Sequence, residues 1–194
     1  SDSYRIHTMG GAVPLGTIND HGPSGTDMLA VFGSSGADNL TVTSQRITDS
    51  AGHIFNYNGG GAAGIDGLQV LLGGGDDVVN IQSTPATMAV SINGEDGGDK
   101  ITIGNGSHGM DDIAGPAGKS LTLVGGDGDD TLTADDSADT TAETEATLTS
   151  SSVRGLGNAI GIQYSGIENV AVKLGSGGDE LTVLRTVAGS TSIL

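Results

Sequence analysis

Two apolar residues separated by one other residue lead into a glycine-rich turn. An aspartate follows, then one residue, then two more apolar residues spaced the same way. This pattern recurs as LAVFGSSGADNLTV (29–42), VLLGGGDDVVNI (70–81), VSINGEDGGDKITI (90–103), LTLVGGDGDDTLTA (121–134) and VKLGSGGDELTV (172–183). Such alternation predicts short strands with one buried face. Between Asp77 and Gly98 it puts Val79 and Ile81 on one face with Val90 and Ile92, and turns Asn80 and Ser91 the other way. The turn aspartates are Asp38, Asp77, Asp99, Asp130 and Asp179, each preceded at two residues by a glycine: Gly36, Gly75, Gly97, Gly128 and Gly177. At the start, DSYRI matches DKITI (99–103), so Asp2 reads as a sixth turn aspartate. Arg5, Thr41, Asn80, Thr102, Thr133 and Thr182 are the expected solvent-facing residues after these aspartates.

The turns show a higher order. Asp2 to Asp99 is 97 residues, Asp38 to Asp130 is 92 and Asp77 to Asp179 is 102. The chain therefore reads as two units, 1–98 and 99–194, with three motifs each. GIDGLQVLLGGGDD (64–77) also parallels GIENVAVKLGSGGD (166–179). Extra residues fall after the post-aspartate strand, as at 105–118 and 135–159, and HIFNY (53–57) and IGIQY (160–164) look like further strands. A strand that cannot bury its apolar face alone does so by stacking on copies of itself. The expected fold is all-β: a parallel β-solenoid, β-roll or β-helix, with Gly-Asp turns along one edge and variable loops on the opposite edge. The alternative is a pair of tandem β-sandwich domains.

Composition narrows the function. The chain has 35 glycines, 3% aromatic residues, no cysteine and a net charge of -17. With so few aromatics the core must come from Val, Ile and Leu. The acidity disfavours nucleic acid and anionic membranes and suits a calcium-rich outside medium. No apolar run approaches the length that spans a membrane. The histidines His7, His21, His53 and His108 lack metal-ligand spacing to one another, and no nucleophile or phosphate-loop motif occurs. The expectation is a protein that is not an enzyme, placed outside the cell or on its surface. A carbohydrate-active β-helix enzyme is the catalytic alternative.

The turn carries the candidate chemistry. Glycine two before the aspartate implies a positive φ or a close backbone approach, and a column of stacked aspartates repels itself unless a cation is shared. GGDGDDTLT (125–133) resembles the calcium-binding nonapeptide of the repeats-in-toxin family, whose parallel β-rolls hold Ca²⁺ between neighbouring turns. The resemblance implies a ligand role for Asp130, with Gly125, Gly126 and Gly128 shaping the turn. The full candidate set is Asp38, Asp77, Glu95, Asp96, Asp99, Asp127, Asp129, Asp130 and Asp179, richest at GEDGGD (94–99) and GGDGDD (125–130). Both chain ends fall inside a motif, so the expected partners are a second copy joined end to end or a continuation of the repeat. The function expected is that of a structural segment: a spacer, surface-layer or filament element stabilised by calcium. An adhesive module, using loops 105–118 and 135–159 to hold a surface glycan or protein ligand, is the second expectation.

Overall fold

The computed structural model describes residues 1–7, 16–20, 25–57, 64–158 and 160–194. Within them the period-two pattern is realised as eighteen strands. In chain order these are β1 (Ser3–His7), β2 (Gly16–Ile18), β3 (Met28–Phe32), β4 (Asn39–Val42), β5 (Arg46–Asp49) and β6 (Ile54–Tyr57). Then come β7 (Gly67–Leu71), β8 (Val78–Ile81), β9 (Ala89–Asp96), β10 (Lys100–Gly104), β11 (Leu121–Asp127) and β12 (Thr131–Asp135). The last six are β13 (Ala146–Leu148), β14 (Ser152–Arg154), β15 (Ile162–Ser165), β16 (Asn169–Lys173), β17 (Leu181–Val183) and β18 (Ser190–Ile193). A single 3₁₀ turn, Met110–Asp112, lies among the described residues.

The strands form two nine-stranded sheets. The first has the order β1-β3-β7-β9-β11-β15-β14-β13-β17, and the second β2-β6-β5-β4-β8-β10-β12-β16-β18. Pairing is parallel except within β4-β5-β6 and β13-β14-β15, which are antiparallel excursions.

These two orders are one order written twice. The run β1-β3-β7-β9 in the first sheet corresponds to β10-β12-β16-β18 in the second. The run β2-β6-β5-β4-β8 in the second corresponds to β11-β15-β14-β13-β17 in the first. Every strand thus has a counterpart nine strands on, in the opposite sheet. Registers agree: Met28 faces Gly67 as Thr131 faces Asn169, and Thr17 faces Asn56 as Thr122 faces Gln163. The exchange arises because nine strands cross between the sheets an odd number of times. The pairs β8-β10 and β9-β11 join the two runs, so both sheets are continuous across residues 98 and 99.

One apolar cluster lies between the sheets. In the first sheet Val31, Val70, Ile92 and Leu123 form one inward column, and in the second Leu40, Val79, Ile101, Leu132 and Val170 form another. All are buried, as alternation predicts for Val79, Ile81, Val90 and Ile92. Each such side chain contributes about 1.5–3 kcal/mol. HIFNY and IGIQY do supply strands, β6 and β15. The buried hydroxyls of Tyr57 and Tyr164 donate to the main-chain oxygens of Thr43 and Thr149, tying each antiparallel excursion shut.

Three sequence expectations shift with the exchange of sheets. The glycine-aspartate turns do not share one edge: those before β4, β8, β10 and β12 lead into the second sheet, and the turn before β17 leads into the first. Asp2 precedes a first-sheet strand and lies level with Asp27, one residue before the Ser3–Met28 pair. Asp130 accordingly corresponds to Asp27, and Asp38 corresponds to Glu143. Arg5 and Thr182 leave the outward column, which runs Thr41, Asn80, Thr102, Thr133 and continues to Ala171 and Ser192. Insertion 135–159 holds β13 and β14, with residue 159 outside the described residues.

Candidate functional site

Just before β4, β8, β10 and β12, the N–H of the corner residue points along the stack with no strand residue opposite to accept from it. Corner carboxylates fill that gap. The Asp38 N–H donates to Asp77 Oδ1 (2.6 Å), Asp77 N–H to Asp99 Oδ1 (2.9 Å), Asp99 N–H to Asp130 Oδ1 (2.8 Å) and Asp130 N–H to Glu168 Oε2 (2.9 Å). Each corner carbonyl also accepts from the first strand residue of the next level, as Lys100 N–H does to Asp77 O (2.8 Å). The result is a row of charge-assisted bonds running along the edge that leads into the second sheet. A matching row leads into the first sheet: Asp2 N–H to Asp27 Oδ1 (2.5 Å), Asp27 N–H to Asp66 Oδ2 (2.9 Å), and farther along Glu143 N–H to Asp179 Oδ1 (3.2 Å).

The glycines make room for this row. Gly128 has φ +132°, where L side chains are strained. A Cβ on Gly125 would lie 1.7 Å from Gly166 O and 2.3 Å from Asp130 Oδ2. Gly75 and Gly97 are left-handed like Gly128, and a Cβ on Gly177 would lie 2.0 Å from Thr141 O, whereas one on Gly36 would meet nothing within 4 Å. The motif glycine therefore serves conformation at three turns and close approach at a fourth.

Burial sets the electrostatics. Desolvation pushes the Asp77 carboxyl up to about 7; the Asp38 N–H opposes the rise, and the carboxylates of Asp99, Asp38 and Asp76 add to it. Asp99 and Asp130 are raised for the same leading reason. Of the other predicted ligands, Glu95 and Asp96 lie level with Gly126 and Asp127 on the adjoining strand, and Asp129 Oδ1 accepts from Asn169 Nδ2 (2.7 Å). Glu95 is the non-glycine residue with positive φ among those described, +73°. The corner carboxylates are half engaged: Oδ1 of Asp77, Asp99 and Asp130 accepts a main-chain N–H, while their buried Oδ2 atoms have no hydrogen-bond partner. In Asp99, one oxygen takes the Asp77 amide and the other packs on Gly94, whose Cβ would lie 1.9 Å away.

A different carboxylate group gathers where loops after β10, β12 and β16 stack. Ligand oxygens of Asp111, Asp139 and Glu143 lie within 4.8 Å of one another. Asp136 joins them with 0% exposure. Its Oδ1 accepts from Met110 N–H (2.9 Å), while Oδ2 has no hydrogen-bond partner. The buried atoms Asp139 Oδ2, Glu143 Oε2 and Asp179 Oδ2 likewise have none. Burial and then the neighbouring carboxylates of Asp139, Asp136 and Asp179 push Glu143 up to about 8. Desolvation, with the charges of Asp139, Asp111 and Asp179, pushes Asp136 up to about 6 against the bond from Met110. Lys173 is engaged with Asp135 instead (2.8 Å). A second triad, Asp2, Asp20 and Asp27, sits at the start of the first sheet. Of the nine sequence candidates, only Asp179 touches the loop group.

Sequence reasoning missed Glu168, Asp66, Asp111, Asp136, Asp139 and Glu143. The match of GIDG to GIEN already sets Asp66 against Glu168, and the structure shows both accepting from the residue one level before. Nothing local marks Asp136. Comparison with protein-family models, curated proteins and solved structures returns no match. No described helix is long and apolar enough to cross a membrane.

Proposed function

We propose that the chain is a parallel β-solenoid segment of an extracellular protein with a structural task, as a spacer, surface-layer or filament element. The observation that carries this reading is the nine-strand repeat: one core and the corner row from Asp38 to Glu168 run unbroken across both units, which suits a stiff rod. Two of its surface grooves favour the same reading over an enzyme. One is lined by Ser44, Gln45, Asn56, Tyr57 and Pro85, the other by Met28, Leu68, Val90, Lys119 and Gln163, and neither lining carries a carboxylate. Two tandem sandwiches would have no need of the β8-β10 and β9-β11 pairs.

Calcium belongs in this proposal at the loop group. Asp111, Asp136, Asp139, Glu143 and Asp179 would hold it, and an all-oxygen carboxylate set is what a hard cation such as Ca²⁺ takes. The observation in favour is that orphaned oxygens of four carboxylates, Asp136, Asp139, Glu143 and Asp179, gather in one group, whereas those of Asp77, Asp99 and Asp130 are spaced one to a level. Bound there, the ion would neutralise like charges and pin three loops together.

Small-angle scattering tests the structural reading. Nine levels at about 4.8 Å make a stack about 40 Å long, and one rigid particle of constant cross-section is expected. Two lobes in variable relative positions would sink it. A glycan-array screen tests the adhesive reading, in which ligands bind through loops 105–118 or 135–159.

A further inference from the structure

The internal junction between the two nine-strand runs is a template for a junction between molecules. At it, β10 adds to β8 and β11 adds to β9. The counterparts of β8 and β9 are β17 and β18, which end the first and second sheets. The counterparts of β10 and β11 are β1 and β2, which end the same two sheets on the other side. The four terminal strands are thus two complementary faces, each already seen bound to its complement once.

Burial agrees residue by residue. Ile81 and Ile92 are 0% exposed, covered by the second run; their counterparts Val183 and Ile193 are 45% and 42% exposed. Leu184 and Leu194 beside them are 66% and 71% exposed. On the other face Tyr4, Ile6 and Ile18 are only partly buried against the core. The corner row is broken at the same place. Asp77 N–H donates to Asp99 Oδ1, and the counterparts of these residues are Asp179 and Asp2.

We propose that copies of this chain join head to tail by strand addition, β1 and β2 of one copy continuing β17 and β18 of another. The proposal rests on the reading of the chain as a stackable segment. The register follows from the internal junction. Val79 faces Ile101 and Ile81 faces Ile103 there, which sets Leu181 opposite Tyr4 and Val183 opposite Ile6 of the next copy. In the other sheet Ile92 faces Leu123, which sets Ile193 opposite Ile18. Asp179 N–H donates to the carboxylate of Asp2 in the next copy, and Ser3 N–H donates to Asp179 O, as Lys100 N–H does to Asp77 O. The two faces differ, so the contact is heterologous and does not close; the product is an open filament in which each sheet continues into the same sheet of the next copy. Unpaired edges carrying apolar residues are what such addition requires.

The test uses the 194-residue chain in sedimentation velocity over a wide concentration range, with negative-stain electron microscopy. Species that grow with concentration into unbranched filaments are expected. A tail-blocked variant, Val183→Lys with Ile193→Lys, and a head-blocked variant, Asp2→Ala with Ser3→Pro, should each associate at least roughly tenfold more weakly. Mixed together they should form dimers and nothing larger, because one retains a free tail and the other a free head. Circular dichroism and urea midpoints check that both fold, and Leu184→Lys replaces the tail variant if it does not. A wild-type chain monomeric at every concentration overturns the proposal. So does a mixture that behaves as its separate components, or a blocked variant that still assembles as the wild type does. A monomer that scatters as one rigid particle overturns the joint and leaves the structural reading standing; flexible lobes overturn that reading itself.

Discussion

The main-chain N–H of Asp99 donates to the Oδ1 of Asp130, 2.8 Å away and 31 residues later in the chain. That bond belongs to a row in which a side chain of one level completes the backbone of the level before. The carboxylate is buried for this purpose, and its raised pKa is the electrostatic consequence of that position.

Removing one acceptor should cost what an unsatisfied buried amide costs. Asp99→Ala leaves the Asp77 N–H without its partner. A loss of about 1–3 kcal/mol in urea unfolding is expected. Asp99→Asn keeps an acceptor in place and should lose clearly less. Equal losses for both would show that the charge, and not the hydrogen bond, matters.

Two motif glycines should behave oppositely. Gly125→Ala sets a Cβ 1.7 Å from Gly166 O and should destabilise by about 1–3 kcal/mol or more. Gly36→Ala meets nothing within 4 Å and has no left-handed φ, so its effect should stay within about 0.5 kcal/mol. Thermal midpoints of the two variants decide it.

Stability should depend on pH in a direction opposite to that of a salt-bridged protein. The Asp77 pKa is raised to about 7 in the folded state, so the native state holds the proton more tightly than the unfolded chain. Its contribution is complete below the ordinary aspartate range near 4 and is lost as pH rises through about 7. Asp49, paired with His53, and Asp135, paired with Lys173, are lowered, and their contributions disappear only as pH falls through the acid range. With chelator present, the urea midpoint should therefore fall between pH 5 and pH 8, and Asp77→Asn should flatten that fall. A midpoint rising over the interval would contradict the argument.

Calcium at the loop group should raise the melting temperature of chelator-treated protein. Asp136→Asn, which keeps an acceptor for Met110 while removing charge, should abolish most of that rise. Asp99→Asn should leave the rise intact if the corner row is not the site. An unchanged melting temperature in wild type on adding calcium would remove the metal from the account.

Much of the fold is legible in the chain itself. Alternation of apolar and polar residues names the inward side chains, since a strand turns successive residues to opposite faces whatever it pairs with. Gly128 and Asp130 are legible too, because a turn of fixed shape demands them locally. The sequence cannot say which of two equivalent sheets a strand joins. Both sheets bury the same kind of face, so Asp179 and Asp2 carry the same local pattern as Asp77 and Asp99 while sitting at another edge. Only the tertiary structure decides that, through the count of crossings in each nine-strand run. It also decides that Glu168 closes a row of aspartates, because a hydrogen bond along the stack needs an oxygen at the right height and not a particular spacing in sequence. The loop group around Asp136 is decided the same way: three loops far apart in the chain meet because the strands before them are neighbours.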